Sequence, residues 1–177
     1  MKTLNKKQAG PEWEKFWNGL KKEWFKVEVL QDYSGTDMND SLRAWLSGNH
    51  KSSIKLLMKD AENPEWVKMG NDTPAKKIRY HIVDKPYSPY LSWEIEHYKL
   101  INVPLLKENI YLIERKSVKD LDIPDGDFMI FDNKRVVRNY YTSKGKMSKA
   151  DFYYEGDDIG KFLDLKNKIL KIKAMKV

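Results

Sequence analysis

The chain has 177 residues, 41% of them apolar and 12% aromatic, enough for one domain with a real core and hardly enough for two. Its 33 basic and 26 acidic residues leave a net charge of +7 and a pI of about 9.3, a balance that suits a polyanionic partner but is interspersed along the whole sequence. The absence of cysteine excludes disulfides, thiolate catalysis and thiolate zinc sites, and no apolar run approaches the ~20 residues of a membrane span. With no hydrophobic leader over Met1 to Gln8, the reading is a soluble cytoplasmic protein with no membrane contact. Residues 1–10 are expected as a basic tail and residues 11–177 as a single α/β domain.

Pro11 stands where a helix can begin, and Trp13, Phe16, Trp17 and Leu20 recur at the spacing of one helical face. Trp24, Phe25, Val27, Val29 and Leu30 form a β-rich run closed by the turn Tyr33-Ser34-Gly35. Asp40-Ser41 caps a short helix that stops at Gly48-Asn49, Ile54, Leu57, Met58 and Ala61 line the next, and Pro64 to Val67 start a further turn. Lys76 to Val83 alternates apolar and polar residues at period two and is the clearest strand. Pro86 and Pro89 delay the following helix, whose Leu91, Ile95 and Tyr98 share a face until Asn102-Val103-Pro104 ends it. Asn109 to Arg115 supplies another strand. Phe128 to Phe131 then meets the turn Asp132-Asn133, and a second arm leaves through Val136, Val137 and Tyr140, which predicts a tight hairpin. Asp151 to Tyr154 reads as a short strand. The closing helix opens at Asp157-Asp158, with an apolar stripe from Ile159 to Ile172 and lysines at 161, 166, 168, 171, 173 and 176 on its solvated face. The pattern predicts an α/β (or α+β) fold with a single mixed sheet flanked by helices.

No nucleophile elbow, phosphate-binding loop, dinucleotide fingerprint or His-Glu-x-x-His motif occurs. Glu94 and His97 have the Glu-x-x-His spacing of di-iron bundles, but without a second copy they read as a structural ion pair or a satisfied surface histidine. Asp122, Asp125, Asp127 and Asp132 offer hard oxygen ligands without the spacing of a calcium loop, so they read as turn residues. No catalytic residue, metal or cofactor is assigned. Ligands of open α/β sheets bind beyond strand ends, which directs attention to Tyr87, Tyr90 and Trp93. Arg79, Glu94, Arg115, Asp127 and Asp132 complete the candidate ligand-binding set. The competing structural reading pairs Arg79 or Arg115 with Glu94 or Asp132 to hold sheet to helix.

The stretch from Ile78-Arg79-Tyr80-His81-Ile82-Val83 through Pro86, Ser88, Tyr90 and Glu94 to Asp127-Phe128-Met129-Ile130-Phe131-Asp132 and the closing helix resembles a bacterial family of unknown function. Leu42-Arg43-Ala44-Trp45-Leu46-Ser47-Gly48 resembles its early helix. That family is mainly actinobacterial and often encoded beside helix-turn-helix regulators, which implies a DNA-binding regulator protein or a small ligand as partner. More remotely, residues 125–132 resemble one half of the phospholipase D superfamily, whose H-x-K-x4-D motif carries a nucleophilic His and a phosphate-steadying Lys. Asp132 matches the final Asp, while Asp125 and Asp127 occupy the His and Lys positions. The resemblance therefore implies the fold without phosphoryl transfer by that route. The expected role is a non-catalytic regulatory or interaction module, ligand-sensing or partner-binding, in a transcription-related or defence-related system. A nucleic-acid-binding protein with a basic face and a metal-dependent phosphodiesterase are the alternatives.

Overall fold

The computed structural model describes residues 1–177, except the side chains of residues 64, 66 and 69. The chain runs β1 (Lys2–Asn5), α1 (Lys6–Asn18), β2 (Glu23–Glu28), α2 (Ser34–Asp37), α3 (Asp40–Leu46), α4 (His50–Ala61), α5 (Pro64–Asn71) and β3 (Lys76–Val83). It continues through α6 (Pro89–His97), β4 (Glu108–Glu114), β5 (Phe128–Phe131), β6 (Arg135–Tyr141), β7 (Met147–Tyr153), α7 (Gly160–Ile169) and β8 (Met175–Lys176). A π-helical turn over Tyr98–Asn102 prolongs α6. All strands join one eight-stranded sheet in the order β1-β7-β6-β5-β2-β3-β4-β8. The pairs β2/β3 and β3/β4 are parallel and the others antiparallel, so the expected single mixed sheet flanked by helices is the fold found.

Alternation along the strands sends successive side chains to opposite faces. On one face Phe25, Val27, Tyr80, Ile82, Phe128 and Ile130 pack against Phe162, Leu165 and Ile169 of α7. The other face is covered in two patches. Phe16 and Leu20 lie over Trp24, Phe131 and Phe152, while Leu91 and Ile95 of α6 lie over Ile110 and Leu112. Between these patches the same face carries Lys26, Glu28, Arg79 and His81, with Asp127 just before β5. An apolar sheet thus holds a polar strip under its helices.

Three expectations need correction. Residues 1–10 are not a tail: β1 pairs antiparallel with β7, Leu4 and Ala9 are buried, and Asn5 caps α1 in a capping box with Gln8. Their lysines point outward and conceal a strand followed by a cap. The closing helix stops at Ile169 rather than Ile172, because the chain must turn back so that Met175 and Lys176 can pair with β4. Lys166, expected in solvent, is buried, with its ammonium on the Glu23 carboxylate and Asn133 Oδ1. Among the described residues no helix is long and apolar enough to cross a membrane.

Candidate functional site

Period-two geometry places Lys26 and Glu28 of β2 on the face of Trp24, and the parallel register sets Lys26 beside Arg79 and Glu28 beside His81. Strand β4 begins with Glu108 on that face. Opposite, Ser88 caps α6 by accepting from the Leu91 N–H, and Pro89 occupies its first turn. Helical spacing then turns Tyr90, Trp93, Glu94 and His97 toward the sheet, and the π-helical turn carries Tyr98 and Asn102 to the same side. The two layers enclose a cleft of about 310 Å³ that also touches Asp37 and Asn39. A larger depression of about 450 Å³ beside α7 is edged by Asp122, Asp125, Lys161 and Lys168, whose exposed charges are left to water. The smaller cleft is lined by the buried polar side chains of Glu28, Glu94 and Asn102.

Arg79 organises the floor. Its guanidinium donates to both oxygens of Glu108 at 2.8 and 3.1 Å and to Glu28 Oε1 at 2.8 Å, and it lies over the rings of Trp24 and Tyr98. Burial works against its charge, but Glu108 and Glu28 keep it firmly protonated. Lys26 Nζ reaches Glu28 Oε1 at 2.5 Å, and Tyr98 Oη donates to Glu28 Oε2 at 2.7 Å. Burial opposes the charge of Glu28 too, yet Arg79 and Lys26 hold its carboxyl far below the usual range. Asn102 completes the wall by donating to Glu108 Oε1 at 2.9 Å while accepting at 2.6 Å from His97 Nδ1.

Glu94 and His81 are different. His81 is fully buried, and its Nε2 lies 2.7 Å from the Leu30 carbonyl, which only accepts, so Nε2 carries the proton. Burial pushes the ring toward its neutral form, leaving a lone pair on Nδ1. That lone pair faces Glu94 Oε2 at 3.4 Å, Glu28 Oε2 at 3.7 Å and the Tyr98 oxygen at 3.1 Å, whose single proton already goes to Glu28. Glu94 is 7% exposed, and its Oε2 has no hydrogen-bond partner. Burial and the charge of Glu28 push its carboxyl well above the usual carboxylate range. With Glu94 ionised, acceptors converge on a point with no donor between them; with Glu94 protonated, its own O–H is the one donor there.

One strand over, Asp127 is fully buried and accepts from the Val29 N–H at 3.0 Å, Tyr33 Oη at 2.7 Å and Tyr141 Oη at 2.8 Å. Burial raises its carboxyl to about 6 against the pull of Lys26 and of these hydroxyls.

Of the candidate residues, Arg79, Tyr90, Trp93 and Glu94 meet in the cleft, and Asp127 adjoins it. Tyr87, Arg115 and Asp132 lie elsewhere. Tyr87 packs beside the Leu91 cluster, and Arg115 pairs with Asp84 and donates to the Val29 carbonyl. Asp132 accepts from the N–H groups of Lys21, Lys22 and Glu23, while it and Asn133 adopt the positive φ of a tight hairpin turn. The arginines pair otherwise than with Glu94 or Asp132: Arg79 takes Glu28 and Glu108, and Arg115 takes Asp84. His97 does not pair with Glu94 but turns to Asn102. Lys26, Glu28, Asn102 and Glu108 were overlooked. Lys26-x-Glu28 was visible as a polar pair inside an apolar strand, but only the parallel register with β3 brings it to Arg79 and His81.

Over residues 11–172 the sequence matches a family described as a domain of unknown function, DUF6879. The chain belongs to this family. The match to DUF6879 spans every residue of the cleft, from Lys26 to Asn102, and leaves β1, the start of α1 and all of β8 outside. No curated protein shows significant similarity to the chain.

Proposed function

We propose that this DUF6879 domain is a non-catalytic, ligand-sensing module whose cleft accepts positive charge, acting in a transcription-related or defence-related system. The observation that carries this reading is the charge inventory of the site. Among the described residues, the carboxyl groups of Glu28, Asp37 and Glu94 line the cleft beside Lys26 and Arg79, and both cations are already engaged by Glu28 and Glu108. Burial holds Glu94 toward its neutral form, and a cation or donor group beside its unpartnered oxygen would let it ionise, which marks a place for such a ligand in the open cleft. Tyr90, Trp93 and Tyr98 supply aromatic walls for such a ligand. The cleft volume of about 310 Å³ suits a small molecule rather than a chain.

Phosphoryl transfer by the phospholipase D route is no part of this reading, since the chain has Asp125 and Asp127 at the positions that motif gives to nucleophile and cation. Two tyrosine hydroxyls and a backbone N–H engage Asp127, which leaves it poorly placed to attack a substrate. The test is calorimetric titration of the full chain with small amine- and guanidine-bearing ligands and with carboxylate-bearing counterparts. Cationic ligands are expected to bind, and Asp37→Asn and Glu94→Gln to weaken them at least ~10-fold, or about 1.4 kcal/mol. Preference for the anionic set, or unchanged binding by both variants, would overturn the proposal.

A further inference from the structure

We infer that the floor of the cleft is a site for a divalent transition-metal ion such as Zn²⁺ or Mn²⁺, held by Glu28 Oε2, His81 Nδ1 and Glu94 Oε2. The inference rests on the reading of the cleft as a receiver of positive charge and names the charge. These ligand atoms lie within 4.8 Å of one another, and all three residues are buried. Two ligands bound at about 2.0–2.1 Å in a tetrahedral site stand roughly 3.4 Å apart. The observed 3.4 Å from His81 Nδ1 to Glu94 Oε2 and 3.7 Å to Glu28 Oε2 are within a small side-chain adjustment of that spacing.

The surroundings fit a metal ligand set. The Leu30 carbonyl fixes the His81 tautomer by accepting from Nε2, which is how metal-bound imidazoles are commonly oriented. Glu94 is the independent sign, because its buried Oε2 has no hydrogen-bond partner and is aimed at the His81 lone pair. Two nearby cations oppose an ion, but Arg79 is balanced by Glu108, and both Lys26 and Arg79 bond Glu28 through Oε1, leaving Oε2 to the site. Tyr98, now donating to that Oε2, would turn its hydroxyl aside. Glu28 and Glu94 also line the cleft, so a fourth coordination position opens onto the space where a small ligand would sit. One imidazole with two carboxylates favours Zn²⁺ or Mn²⁺ over Mg²⁺ and Ca²⁺, which prefer oxygen alone.

The full chain is stripped with chelator and dialysed against ZnCl₂ or MnCl₂, bound metal is quantified, and Co²⁺ is added separately for its visible absorption. The expected result is about one Zn²⁺ per chain at micromolar affinity and a Co²⁺ spectrum of a four-coordinate site. Glu94→Gln, shown folded by circular dichroism, is expected to weaken Zn²⁺ at least ~10-fold, while His50→Ala at an exposed histidine leaves it unchanged. Unchanged Zn²⁺ affinity in Glu94→Gln, or loss in His50→Ala, overturns the assignment. Binding of an organic amine without Zn²⁺ or Mn²⁺ overturns the metal and leaves the cationic cleft standing; failure of all three removes both.

Discussion

Each nitrogen of the Arg79 guanidinium serves Glu28 or Glu108. Arg79→Ala would strand two buried carboxylates, and urea denaturation should show a loss of about 3–5 kcal/mol. A loss under about 1 kcal/mol would mean that solvent or Lys26 satisfies them and that the floor is not the buried network described. Asp127 makes a different prediction. Its carboxyl is raised to about 6 in the folded protein by burial, against about 3.9 in an unfolded chain, so the folded state holds a proton that the unfolded state has released. That stability is fully present below pH ~4 and is lost as the pH rises through about 6, amounting to about 2–3 kcal/mol. Glu94, also raised, adds in the same sense, while His81 and His97, lowered by burial, act oppositely at low pH. The difference in unfolding free energy between wild type and Asp127→Asn, measured from pH 4 to 7, isolates the Asp127 component. A flat difference curve would contradict it.

Among the elements, β3 was legible because its alternation is local, and the hairpin because Asp132-Asn133 is a turn signal at short range. The site was legible only in part. Tyr90, Trp93 and Glu94 could be placed because they follow a strand end on one helix, whereas Glu28 and Glu108 enter from strands whose pairing with β3 spans dozens of residues. The π-helical turn that aims Tyr98 and Asn102 has no signature in the sequence, since one extra residue in a helical turn reflects tertiary packing. β1 was hidden by Lys2 and the lysines that follow it in α1. Deleting residues 1–5 should therefore cost at least ~2 kcal/mol, from the burial of Leu4 and the loss of the α1 cap, and should expose β7 as a new sheet edge. An unchanged melting temperature would restore the tail. Ser88 makes a smaller test: its hydroxyl both caps α6 and donates to the Gln31 carbonyl, so Ser88→Ala should cost about 1–2 kcal/mol by thermal denaturation.

For the molecule as a whole, the net charge of +7 predicts weak association with DNA that falls steeply between low and physiological salt. Retention of binding at high salt would instead favour a specific nucleic-acid surface over the cleft. The fold divides its labour: the α7 face of the sheet is apolar, and the opposite face gives up part of its core to buried charge. A domain selected for stability alone would fill that strip with hydrophobic side chains, which are often as stable or more so than buried ion pairs. The decisive measurement is urea denaturation of wild type and Glu94→Met, each in chelator and with saturating Zn²⁺. The variant should be the more stable in chelator, by about 1 kcal/mol, because a buried carboxyl group with an unpartnered oxygen has been replaced by a thioether. Wild type alone should gain with metal, by about 2.7 kcal/mol at a hundredfold excess over Kd. A variant that is less stable in chelator, paired with a wild type indifferent to the ion, would show that Glu94 serves the fold and not a bound cation.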